Sequence, residues 1–166
     1  DLYSIIISNN KAKYGGGIYL SGSNKWNPIV NIYDSKIIDN MATTEGGAIY
    51  TYKHTANIYH SNISSNTGNN IGGGLVCSSS TLLLYNTSIT NNIAAMKGGG
   101  IYINGDVSNG ISNVNIERGL IQNNQISTIN TDDMNGGGAL YIKGKSYLYT
   151  RETSFLSNAA NTNHGH

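Results

Sequence analysis

The chain has 166 residues, among them 21 Gly, 12 Tyr, one Pro and one Cys, and a net charge of +1. Charged residues make up 11% of it, against about 25% in ordinary globular domains, so no electrostatic attraction to nucleic acid or to an anionic membrane is expected. No apolar run is long enough to span a bilayer as a helix, and a lone Cys77 excludes an internal disulfide framework and a Cys-based zinc site.

Ile, Leu, Val and Phe together number 37, a share only just above the ~20% typical of disordered chains. Disorder also needs high net charge, which is missing here. The chain starts at Asp1 with no Met and no signal-peptide pattern, so a processed product or an excerpt of something longer is expected.

One unit recurs along the chain. The first copy runs Ser4, Ile6, Asn9 and then Gly15-Gly16-Gly17-Ile18-Tyr19. An insertion over 21–28 follows and carries Trp26-Asn27-Pro28, an exposed aromatic loop in this register. The second copy has the apolar alternation Val30/Ile32, then Ser35, Ile37, Asn40 and Gly46-Gly47-Ala48-Ile49-Tyr50. The third has Ala56/Ile58, Ser61, Ile63, Asn66 and Gly72-Gly73-Gly74-Leu75-Val76. The fourth has Leu82/Leu84, Thr87, Ile89, Asn92 and Gly98-Gly99-Gly100-Ile101-Tyr102, with an insertion over 104–113 behind it. The fifth has Val114/Ile116, Gly119, Ile121 and Asn124, a third insertion over 125–135, and Gly137-Gly138-Ala139-Leu140-Tyr141. A sixth begins with Thr153, Phe155 and Asn158 and reaches His164-Gly165-His166.

The Asn-to-Asn spacings are 31, 26, 26, 32 and 34. Gly, Asn and β-branched residues suit turns and strands rather than helices. Apolar residues at i and i+2 share one face of a strand. Three short strands in about 26 residues, without hairpin signals, describe one coil of a parallel β-helix. The expected fold is therefore all-β, a right-handed parallel β-helix of about six coils, with residues 1–166 as a single solenoid segment. Coils stacked about 4.8 Å apart would make a rod roughly 29 Å long.

Stacking turns each repeated position into a column. The aliphatic columns are core. Asn9, Asn40, Asn66, Asn92, Asn124 and Asn158 are expected to form an inward ladder at a turn, because an amide both donates and accepts. The glycines stand where the backbone turns or where no Cβ fits. The stretch from Gly138 to Ser146 is P-loop-like, but it has one residue too many between its glycines and no helix after it. Tyr19, Tyr50, Tyr102 and Tyr141 form an outward column broken by Val76, and Tyr33, Tyr59 and Tyr85 form another. With Trp26, the first column supplies candidate surface aromatic contacts. The two readings of these columns are ladder stacking and a flat face for sugars or for another rod.

Cys77 falls in a core column and reads as a buried small hydrophobe. His54, His60, His164 and His166 do not converge, so no metal site and no cofactor are expected. No two carboxylates stack on adjacent coils in the columns of Asp34 or Asp39, and Asp132-Asp133 reads as part of a solvated loop. Catalysis within the chain is therefore not expected. Asn62-Ile63-Ser64 and Asn86-Thr87-Ser88 are candidate N-glycosylation sequons.

The paired signatures resemble the polymorphic membrane protein repeats of chlamydial adhesins, which repeat Phe-x-x-Asn followed by Gly-Gly-Ala-(Ile/Leu/Val). Phe155-Leu156-Ser157-Asn158 matches the first literally, and Ile replaces Phe in the other copies, as in Ile37–Asn40 and Ile63–Asn66. Gly46-Gly47-Ala48-Ile49 and Gly137-Gly138-Ala139-Leu140 match the second. The resemblance implies a right-handed β-helix that is secreted or exposed on a cell surface. The expected function is a non-catalytic structural or adhesive rod. Neither end of the chain carries a polar cap, so further coils or end-to-end stacking of copies are expected. The expected partners are other copies of the chain and glycans, without membrane insertion. The competing reading is a β-helix that binds or cleaves polysaccharide on a pectate-lyase-like superfold.

Overall fold

Within each coil, Ile, Val and Leu alternate with Asn, Thr and Tyr, which gives strands that bury one face. Such a strand finds its partners one coil away, so every ladder between coils is parallel and joins residues about one repeat apart. The result, seen in a computed structural model that describes residues 1–23, 28–127 and 136–160, is a right-handed parallel β-solenoid.

Four sheets run along the rod, with six, six, six and five strands. The first contains Leu2–Tyr3, Ile29–Tyr33, Thr55–Tyr59, Thr81–Tyr85, Ser112–Glu117 and Ser146–Arg151. The second contains Ile6–Ser8, Lys36–Ile38, Asn62–Ser64, Ser88–Thr90, Leu120–Gln122 and Ser154–Leu156. The fourth follows the glycines, with Ile18–Ser21, Ile49–Tyr52, Leu75–Ser78, Ile101–Gly105 and Leu140–Gly144. These are the three strands per coil expected from the repeat. The third sheet is additional. Four of its strands have only two residues, such as Thr67–Gly68 and Ile93–Ala94, too short to show an alternation in the sequence.

The core is one narrow column system. Ile37, Ile63, Ile89 and Ile121 lie above one another at 0% exposure, as do Ile32, Ile58, Leu84 and Ile116. Each such side chain contributes about 1.5–3 kcal/mol of burial, so a modest apolar content suffices when every coil shares the same core.

Turns repeat with equal regularity. Between the first and second sheets, Ser4, Asp34, His60, Asn86, Arg118 and Glu152 all have φ between 46° and 53°. Between the second and third, Asn9, Asp39, Ser65, Asn91, Asn123 and Ser157 have φ between 51° and 58°. The residue after each left-handed position turns inward and caps the corner. At the second corner that residue is the ladder Asn. At the first it is Ser35, Ser61, Thr87 or Thr153, a second ladder that Gly119, with no side chain, interrupts in the fifth coil. Ser35 Oγ donates to the Tyr33 carbonyl at 2.6 Å and accepts the Ile5 N–H at 3.2 Å, and the Ser35 N–H in turn donates to Ser61 Oγ at 3.1 Å.

At the third corner two glycines are needed. Gly46 has φ +69°, a conformation that costs an L side chain energy, and a Cβ there would also lie 2.6 Å from the Ile49 carbonyl oxygen. Gly73 has an ordinary φ, but a Cβ there would press on the Gly99 carbonyl oxygen and lie 2.5 Å from the Ile93 carbonyl carbon.

The first coil corrects the expected register by one residue. Ile7, not Ile6, pairs with Ile37, and Ile6 is 67% exposed. Asn10, not Asn9, therefore stands in the ladder, and Asn9 is the left-handed residue before it. Ser4 likewise belongs with the left-handed column, and Ile5 takes the place beside Ser35. The cause is a residue fewer between ladder and glycines in this coil. Ala12 pairs with Ala42, but Tyr14 pairs with Glu45, with an irregularity between them. Counting back from Gly15 by the spacing of the other coils lands one position early.

Candidate functional site

The Asn ladder is continuous through the described coils. The backbone N–H and the side-chain amide of Asn40 both donate to Asn66 Oδ1, at 2.9 and 3.1 Å. The same double donation links Asn66 to Asn92, Asn92 to Asn124 and Asn124 to Asn158. Each amide also donates to a carbonyl of the preceding coil, as Asn66 Nδ2 does to the Ile37 oxygen at 2.9 Å. With Asn40, Asn66, Asn92 and Asn124 almost wholly buried, this column is scaffolding.

The outer faces carry the groups available for contact. On the fourth sheet Tyr19 and Tyr50 stack at 5.5 Å with planes 12° apart, and Tyr102 and Tyr141 at 5.4 Å and 2°. Val76, buried between these pairs, breaks the column. The expected surface role fails for Tyr102, which is only 7% exposed because Tyr141 covers its ring. Tyr19 is 53% exposed. Trp26 lies outside the described residues.

The first sheet carries the longer aromatic stack. Tyr3, Tyr33 and Tyr59 stack in succession at 4.7 and 4.9 Å with nearly parallel rings, and Tyr85 tilts away at 6.5 Å. Tyr3 heads this column through the same one-residue shift that places Asn10. Beyond Tyr85 the column turns ionic. Arg118 donates to the Tyr85 hydroxyl at 3.0 Å and pairs with Glu152 at 2.9 Å, and Arg151 pairs with Glu117 at 2.8 Å.

A third cluster escaped the repeat analysis because it belongs to the position just before the glycines, which varies from coil to coil. Tyr14, Glu45, Ile71, Lys97 and Gly136 form that column. Glu45 stands beside Tyr14, Tyr19, Tyr50 and Tyr52 and lines with them an open cleft of about 310 Å³. Tyr14 packs across the Tyr19–Tyr50 pair, its ring 6.4 and 5.4 Å from theirs. Burial holds the Glu45 carboxyl above its ordinary value. Burial and then the Glu45 charge push the Tyr50 phenol up to about 12.

Histidines and carboxylates remain dispersed. His54 is buried, its Nδ1 2.9 Å from the Thr55 carbonyl. His60 lies 3.8 Å from Asp34 on an exposed corner. Among the described residues no three His, Cys, Asp or Glu side chains gather as metal ligands would. Asp132, Asp133, His164 and His166 lie outside the described residues. Cys77 is fully buried, and desolvation pushes its thiol up to about 12. Of the sequon residues, Asn86 is exposed at its left-handed corner, whereas Asn62 is half-buried with Oδ1 unpaired. Among the described residues no helix is long and apolar enough to cross a membrane.

The first two insertions leave the rod at one corner, between the fourth and first sheets. The second of them closes on itself through paired Asp106 and Gly110 backbones, with Asp106 Oδ1 accepting the Ser108 and Asn109 N–H groups. Ser23 in the first insertion and Asn109 and Ile111 in the second face a common hollow floored by Lys53, His54, Ser79 and Ser80 of the two coils that have no insertion.

Three stretches of the chain, 4–21, 34–52 and 86–104, match the Chlamydia polymorphic membrane protein repeat. Each runs from a left-handed corner residue through the ladder Asn and the glycines into the fourth sheet. No curated protein and no solved structure matches the chain. The similarity therefore resides in the repeat itself, on the first, second and fourth coils.

Proposed function

We propose that this chain is part of a structural or adhesive rod on the outside of a cell, non-catalytic, with its outer faces as the working surfaces. The observation that carries the reading is the position of the three matched stretches. They cover the corners that set the register of the solenoid, and the unmatched coil at Ala56–Val76 stacks in the same register between them. The repeat they match is named for a membrane protein of Chlamydia, which supports a surface location.

The rod extends by repetition. The register that joins one coil to the next can be continued by further coils or by a second copy, and faces sparse in charge also suit lateral packing. Sedimentation at increasing concentration separates these: axial or lateral association gives a growing series of species, and a single monomeric boundary at all concentrations removes self-association from the proposal.

Location is tested by labelling intact cells of the source with antibody to the purified chain. Labelling of intact cells is expected, and labelling only after permeabilisation would overturn the reading. Incubation with polygalacturonate and other polysaccharides is expected to release no new chain ends. Release that survives purification would turn the proposal towards a polysaccharide-cleaving enzyme.

A further inference from the structure

We infer that the cleft formed by Tyr14, Tyr19, Glu45, Tyr50 and Tyr52 is a binding site for a neutral carbohydrate. This deepens the surface-rod reading, since an outward site on such a rod meets the glycans around it.

Three observations point to this ligand class. First, the half-buried Glu45 side chain has no ion pair and no hydrogen bond among the described residues. Its carboxylate oxygens are not among the buried unpaired atoms, so water in the open cleft is their donor, and a sugar hydroxyl can take that water's place. Second, four phenols surround that carboxylate. Tyr rings offer apolar surface for the C–H face of a pyranose and hydroxyls for its rim, at little cost in side-chain entropy. A few placed polar groups in an otherwise aromatic concavity is the usual anatomy of a small-ligand site. Third, the walls are rigid. Tyr19 and Tyr50 belong to strands paired over Ile18–Ser21 and Ile49–Tyr52, and Tyr14 is wedged against both.

Other occupants fit less well. An organic cation would use the same rings and carboxylate. However, the Lys13 and Lys53 ammonium groups already lie 5.2 and 5.1 Å from the Tyr14 and Tyr52 ring centres. These tethered cations compete with a free one. An apolar side chain would leave the carboxylate without a donor.

The charged and titratable groups around Glu45 are the phenols of Tyr14, Tyr19, Tyr50, Tyr52 and Tyr102, the lysines Lys13 and Lys53, and Lys97 two coils along its own column. Of these, the carboxyl is the one that changes charge in mild acid. Sugar affinity is therefore expected to fall as pH drops through its raised value, above the ordinary 4.5.

The test is titration of the purified chain with a panel of neutral hexasaccharides, among them those of β-1,4-glucose, β-1,4-N-acetylglucosamine and β-1,4-mannose, followed by amide and tyrosine resonances. Binding is read at about 10 mM, where a millimolar site is mostly filled. The expected result is shifts confined to the five lining residues by at least one sugar. Glu45→Gln should weaken binding about tenfold and Tyr52→Phe several-fold. Tyr147→Ala, on the first sheet, should leave it unchanged. Glu45→Gln should also remove the pH dependence, which a merely structural role would not do, and melting curves establish that each variant is folded. No shift with any sugar of the panel, binding that Glu45→Gln and Tyr52→Phe leave intact, or binding of tetramethylammonium in place of sugar would each overturn the proposal. Because binding is measured on the isolated chain, a failed surface-labelling experiment bears on location and leaves this result untouched.

Discussion

Asn66 gives both its backbone N–H and its side-chain amide to one atom, Oδ1 of Asn92, at 3.0 Å each. Asn92 passes the same pair of bonds on to Asn124. Each rung therefore satisfies a corner of its own coil and of the coil before it, which couples the coils along the rod.

Replacing Asn66 with Ala removes the acceptor for both Asn40 donors and leaves buried groups unpaired. Asn66→Ala is expected to destabilise the fold by about 1–3 kcal/mol, the cost of unsatisfied buried groups, measured by urea unfolding. The first coil supplies an internal control. Asn10→Ala should lower stability through its lost side-chain bonds to Asn40 Oδ1 and the Ser8 carbonyl, whereas Asn9→Gly should be neutral or slightly stabilising, since Asn9 is exposed with φ 58°. The opposite order of the two effects would restore the register counted back from the glycines.

That contrast marks how far the sequence can be read. Periodicity identified the solenoid, the core columns and the ladder, because identical coils must bury identical positions. It misplaced Asn9 because one residue is missing from Lys11–Tyr14, a strand whose counterparts in later coils are too short to reveal the register. It could not foresee the burial of Tyr102, which depends on how Tyr141 lies over it rather than on the column both occupy. Glu45 was invisible for a different reason. Its column holds Tyr, Glu, Ile, Lys and Gly in successive coils, and a position that differs every time gives no signal to a search for repetition.

Gly73 tests the close approach of coils. Its φ is ordinary, so Ala brings no backbone strain there, only a methyl group against Gly99 and Ile93 backbone. Backbone cannot yield as a side chain can, and Gly73→Ala is expected to cost about 3 kcal/mol or more, at the upper end for overpacking. Gly46→Ala adds to about 1–2 kcal/mol of left-handed strain a Cβ 2.6 Å from the Ile49 carbonyl oxygen, and should cost at least as much. Thermal unfolding of the two variants side by side gives the comparison.

Cys77 is expected to behave as a core residue. Its thiol is buried and pushed up to about 12, so both access and thiolate fraction are low. Ellman's reagent should leave the native chain unmodified at pH 8 and react fully in denaturing urea. Prompt reaction of the native chain would show that the core between the fourth and first sheets opens readily.

The Glu117–Arg151 pair predicts a small acid-sensitive contribution. The Asn115 amide and then Arg151 hold the Glu117 carboxyl below its usual value. A carboxyl depressed in the folded state adds stability above its unfolded value near pH 4.3 and loses it as pH falls through the folded value. Both partners of the pair reach solvent, so salt should weaken the effect. Glu117→Gln is expected to flatten the acid side of the stability profile and leave the region above pH 7 with a small uniform loss. An unchanged acid slope would show that the pair contributes nothing measurable.

Glu45 should show the reverse sign. Its carboxyl is raised by burial in the folded state, so relative to an uncharged side chain its contribution is intact below the unfolded value and is lost as pH rises through the folded one. At neutral pH the ionised group, half-withdrawn from water without a partner, weighs against folding. Glu45→Gln is therefore expected to raise the melting temperature at pH 7 and to leave it unchanged at pH 3. If the same variant also loses carbohydrate affinity, a carboxylate that lowers stability while enabling binding is retained for the ligand it contacts. A variant that is no more stable at pH 7 would mean that the surrounding phenols already satisfy the charge, and the case for an external donor would go with it.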